Sequence, residues 1–141
     1  MAAIDCLRGH GIPDLSLYGE DDNSAAATAL VKVRPAFILT PLGEAKFTNA
    51  VELRAFRKQW TRREQFLHHQ GAGVFQMEPL SAAIWNTALI LSLRHTAKLG
   101  VRTFDLLHVA AVLVLKPDVF YTFDDRQRKL AKAERLRILP A

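Results

Sequence analysis

Apolar runs of three or four residues, most of them closed by a turn residue, alternate along the chain with longer stretches of helical period. The first run, Ala2–Ile4, reads as a very short strand. Residues 9–22 read as a loop, with Gly9, Gly11, Pro13, Gly19 and the acidic run Glu20, Asp21, Asp22. Asn23 and Ser24 cap a helix over 25–33, which Arg34 and Pro35 end. Residues 37–40 form a buried strand closed by Pro41. A helix is expected over 42–58. Thr61 opens another, with Glu64 three residues on as a capping box, and Gly71 and Gly73 end it. A short strand over 74–77 precedes a long helix that Ser81 caps and Gly100 stops. The next helix begins at Thr103 or Phe104 and runs to Lys116, before Pro117. A strand over 119–122, a helix over 125–135 and a last short strand over 137–139 complete the pattern.

Short apolar strands alternating with helices predict an α/β fold with a parallel sheet covered on both faces. The 141 residues suit a single domain, 1–141, with residues 1–16 as an atypical leading segment. Half of the residues are hydrophobic and 23% are charged, which is the balance of a globular chain rather than a disordered one. The longest apolar run, 109–115, is far too short to cross a bilayer, so no membrane partner is expected. The start lacks a basic segment followed by an apolar one, so no signal peptide is expected and the location is expected to be cytoplasmic. A single cysteine, Cys6, excludes an internal disulfide and a cysteine-rich zinc site.

The acids gain meaning from their positions. In parallel α/β sheets, ligands bind beyond the carboxyl ends of the strands. Asp5 directly follows the first strand, Glu44 follows the second by four residues, and Asp124 follows the strand over 119–122. Asp105 leads an apolar helix. Clustered carboxylates repel one another, so a site that keeps several holds a hard divalent cation such as Mg²⁺ or Mn²⁺. The net charge of +5 is concentrated in two places, Arg54 to Arg63 and Arg126 to Arg137. The second lies beside the acids, a placement that suits a nuclease: carboxylates hold the metal while nearby cations hold phosphates.

With those residues placed, three stretches together resemble PIN-domain ribonucleases, and most of all the VapC-type toxins of toxin–antitoxin pairs. They are TPLGEAKFTNA (40–50), RTFDLLHVAA (102–111) and YTFDDRQRKLA (121–131); LYGEDDNSA (17–25) resembles the family's first helix-and-loop region. The resemblance implies a PIN-like three-layer α/β/α fold and a metal-dependent endoribonuclease. Its catalytic acids would be Glu44, Asp105 and Asp124, binding Mg²⁺ or Mn²⁺ together with a first acid near the chain start. Thr122 matches a hydroxyl position that supports the site. RNA would be the substrate and a cognate antitoxin protein the partner. Family members often dimerise, and the apolar residues 82–93 would serve as such a surface.

The departure lies at the first acid. His10 stands where the family's spacing puts an aspartate, and Cys6 and Leu7 replace the hydroxyl residues expected after it. Asp5, Asp14 and no acid at all remain open for that position. If none serves, the chain is a catalytically impaired PIN-like module that binds RNA or an antitoxin without cleavage. His108, one turn beyond Asp105, reads as a structural, hydrogen-bonded histidine rather than a base. His68 and His69 read as a helix end, and Trp60 and Trp85 as core or dimer-interface residues rather than base-stacking ones.

Overall fold

A computed structural model describes residues 2–4 (backbone), 37–58, 64, 67, 68, 71, 72 and 75–139. Strands β1 (Ala2–Ile4), β2 (Phe37–Leu39), β3 (Phe75–Met77), β4 (Val119–Tyr121) and β5 (Ile138–Leu139) form one sheet in the order β3-β2-β1-β4-β5. Every neighbouring pair is parallel. Helices α1 (Pro41–Phe56), α2 (Ala82–Leu99), α3 (Thr103–Leu115) and α4 (Asp125–Ala133) join them in the chain order β1-β2-α1-β3-α2-α3-β4-α4-β5 among the described residues. The α/β expectation therefore holds. The expected helix over 25–33 lies outside the described residues, as does most of the one opened by Thr61.

The short first strand is central. Ala2 pairs with Phe37 on one side and Val119 on the other, and Ile4 pairs with Tyr121. From the two strands flanking it, the rings of Phe37 and Tyr121 meet edge-on with centroids 6.4 Å apart. Phe37 also approaches Phe75 of β3 at 6.4 Å. All residues of β2 and β4 are buried, which is what a continuous apolar run means in a parallel sheet.

The helices bury stripes that follow from their sequences. Phe47 and Val51 lie one turn apart on α1, and Ile84, Ala88 and Leu91 form a stripe on α2. Helix α3 is apolar almost all round, and residues 105 to 112 are all buried. It packs between α2, α4 and β4 in a core that includes Ile84, Leu91, Leu107, Val109, Phe120 and Leu130. Each such side chain removed from water contributes roughly 1.5–3 kcal/mol. A polar clasp adds to this packing: Glu134, at the C-cap of α4, accepts from Arg94 Nη1 at 3.1 Å and meets His95 Nε2 of α2 at 2.6 Å. Burial alone would raise the Glu134 pKa, but the hydrogen bonds from His95 and Arg94 outweigh it and hold the carboxylate below its usual range.

One boundary differs from the sequence expectation for a physical reason, and one open reading is narrowed. Pro41 does not close a strand. It opens α1 at the N1 position, where its missing N–H costs nothing, and Thr40 is the N-cap, accepting from the Gly43 N–H at 3.2 Å. Trp85 is not in the core: it is 51% exposed on α2, beside exposed Leu89, Ile90 and Leu93. Trp60 lies outside the described residues.

Candidate functional site

The strand order turns back at the centre of the sheet. From β1 the chain builds outward to β2 and β3 on one side and β4 and β5 on the other. The crevice outside the carboxyl ends of β1 and β4 is therefore the topological switch point, where open parallel sheets bind ligands. The residues leaving β4 there are Thr122, Phe123 and Asp124.

Local capping chemistry fixes this exit. Asp124 is the N-cap of α4, and its Oδ1 accepts the N–H groups of Arg126 at 2.8 Å and Gln127 at 3.2 Å. The Asp124 N–H donates to Thr122 Oγ1 at 3.1 Å, and the Thr122 hydroxyl donates to Gln127 Oε1 at 3.0 Å. Gln127 Nε2 then donates to Asp105 Oδ1 at 3.4 Å. Asp105 stands at the third position of α3, and its Oδ2 accepts the N–H of Arg102, the N-cap residue, at 3.0 Å. Thus the first turns of α3 and α4 converge, and both present the positive ends of their dipoles to carboxylates. Asp105 is 6% exposed, Asp124 4% and Gln127 0%.

The sequence-predicted acids are distributed as follows. Asp105 and Asp124 come together through Gln127. Glu44 is half-buried in the first turn of α1, its N–H bonded to the Thr40 carbonyl at 2.9 Å, after the carboxyl end of β2. It belongs to the same edge of the sheet, but it is not grouped with the two aspartates. Among the described residues, no three His, Cys, Asp or Glu side chains stand close enough to hold one metal ion. Asp5 and Asp14 lie outside the described residues, although β1 ends at Ile4, one residue before Asp5. In kind, the donors fit a hard divalent cation: Asp105, Asp124 and Glu44 offer oxygen alone.

Around the acids, Arg128 Nη1 donates to the Thr122 carbonyl at 3.1 Å, which pins one cation of the second basic cluster beside the β4 exit. Arg126 is half-buried, and Lys129, Lys132, Arg135 and Arg137 are exposed. On the other flank, Lys46 Nζ lies 4.6 Å from the ring centroid of half-exposed Phe104, next to Asp105. His108 is buried one turn further along α3. Desolvation, and secondarily the charge of Lys46, lower its pKa well below 6.5, which leaves it neutral at pH 7 and a weak base.

Gln127 is the residue that sequence reasoning passed over. The signal was present: an Asp N-cap followed three residues later by Gln is capping-box spacing. Here the glutamine does not reach back to the N-cap N–H. The Thr122 hydroxyl takes that bond, which frees the carboxamide to reach another helix. Compared with known proteins, the chain matches neither a family model nor a curated protein.

Proposed function

We propose that the chain is a PIN-like, three-layer α/β/α metal-dependent endoribonuclease of the VapC type, acting as the toxin of a toxin–antitoxin pair in the cytoplasm. The observation that carries this reading is the linked pair of buried carboxylates at the switch-point edge, Asp105 and Asp124, joined by Gln127 and Thr122. Two buried carboxylates linked through one glutamine favour a positive counter-charge, and Mg²⁺ or Mn²⁺ is the one that oxygen donors select.

In this reading Asp105 and Asp124 would hold the ion, and Asp5, one residue beyond the central strand, would complete the set. Glu44 stands to the side and orients the attacking water. When bound, the metal lowers the pKa of water and polarises the phosphoryl oxygen. The cations on α4 and at its end would bind the RNA backbone, with Arg128, held on the Thr122 carbonyl, the one fixed beside the β4 exit. Neutral His108 supports α3 from within the core and takes no proton from the reaction.

A second reading is favoured by one observation: the described residues do not by themselves group three metal-binding side chains. A chain in which Asp5 also fails to join them would bind RNA or an antitoxin without cutting. The two readings separate in a cleavage assay. Purified protein is incubated with single-stranded RNA and Mg²⁺ or Mn²⁺, beside Asp105→Asn. The nuclease reading expects metal-dependent cleavage that falls at least about 100-fold in the variant, since removing one charged ligand weakens both metal binding and positioning. RNA left intact by the wild-type protein under both metals would leave the binding module as the reading.

A further inference from the structure

We infer that Gln127 is a positioning residue whose buried carboxamide ties Asp105 to Thr122 and so sets the spacing of the two metal-binding aspartates. The inference rests on the metal-site reading of Asp105 and Asp124.

Three features carry it. First, Gln127 is 0% exposed although it is polar, and its side chain is satisfied at both ends by the site itself. A buried amide without partners would cost stability, so its bonds decide its orientation. Second, the chemistry fixes which end faces which group. A carboxylate only accepts, so the side facing Asp105 must be the NH₂, and the oxygen is left to accept the Thr122 hydroxyl. Third, the backbone N–H of the same residue donates to Asp124 Oδ1. One residue therefore contacts both aspartates, one through its side chain and the other through its main chain.

No other side chain of this length performs the same task. Glutamate would place a third carboxylate against Asp105 with no donor between them. Lysine would donate, but it would neutralise the charge that the cation needs. Methionine fills the volume and makes neither bond. Outer-shell groups of this sort typically change metal affinity 10–100-fold when removed, because they orient the ligating oxygens.

The test measures Mn²⁺ binding to the full chain by electron paramagnetic resonance of the free ion, with thermal melting followed in parallel. Gln127→Met is compared with wild type and with Leu91→Ala, a core truncation on α2 that lowers stability without touching the site. The expected result is a loss of about 10-fold or more in Mn²⁺ affinity for Gln127→Met, and none for Leu91→Ala. That contrast assigns the loss to positioning rather than to a looser fold. Wild-type and Gln127→Met proteins binding Mn²⁺ within about twofold of each other would overturn the inference while leaving the metal site standing; the threshold lies well inside the range that outer-shell groups span. Equal losses in both variants would also overturn it. Absence of Mn²⁺ binding by the wild-type protein would instead remove the metal-site reading, and the inference with it.

Discussion

A buried histidine gives the molecule a pH dependence whose sign can be worked out. His108 in the folded chain has a pKa well below 6.5, through desolvation first and the charge of Lys46 second. Unfolded, it titrates near 6.5. Below that value the unfolded chain takes up a proton that the folded chain refuses. The stability present above pH 6.5 is therefore lost as pH falls toward the folded pKa. Thermal melts between about pH 7.5 and about pH 5.5 should show a larger fall in Tm for wild type than for His108→Leu, which removes the titrating group. Parallel falls in both proteins would show that His108 does not drive the acid sensitivity. The same scale shows what a sequence conceals. Asp105 and Asp124 were visible as acids leading helices, because capping has local rules. Gln127 was not, because its partner lies 22 residues away, and only the meeting of α3 and α4 makes the pair.

Helix ends were the most legible elements, and they carry the most direct stability prediction. Gly100 ends α2 at φ 61°, and Lys116 ends α3 at φ 51°, both in the left-handed region. A Cβ at Gly100 would meet nothing within 4 Å, so the penalty of Gly100→Ala is conformational alone, about 1 kcal/mol. Lys116→Gly relieves the same strain and should stabilise by up to about 1 kcal/mol. Urea melts of the two variants should therefore move in opposite directions; a shared direction would contradict the backbone account. Other element limits moved by a residue or two where local signals compete. Pro41 reads equally as a strand end and as a helix start, and the Thr40 hydroxyl decides for the helix. Trp85 reads as a core or dimer-interface residue because α2 is apolar on more than one face, and its exposure removes the first of these. The packing uses only the Ile84, Ala88, Leu91 stripe and leaves the other face to solvent.

At the scale of the whole molecule, the short first strand carries more than its length suggests. The parallel α/β class followed from alternating strands and helices, but strand order did not, since no local pattern states which strands are neighbours. The order places Ala2–Ile4 in the middle, and without it β2 and β3 on one side would lose their hydrogen-bonded connection to β4 and β5 on the other. It is also the element that leads to Asp5, so the sheet and the first acid of the proposed site depend on the same three residues. Ala3 pairs with Ile38 on one side and Phe120 on the other. Proline there removes a ladder donor and sets its ring against a neighbouring strand, in a position that sheets reserve for residues with an N–H. The carbonyl left without its donor alone costs about 1–3 kcal/mol. Ala3→Pro should therefore lower the far-UV circular dichroism melting temperature of the whole chain in one cooperative step and weaken Mn²⁺ binding together with it. A variant that melts like wild type would show that β1 does not join the two halves of the sheet. A variant that melts early but binds Mn²⁺ normally would separate the sheet from the site, and would place the first acid elsewhere than after β1.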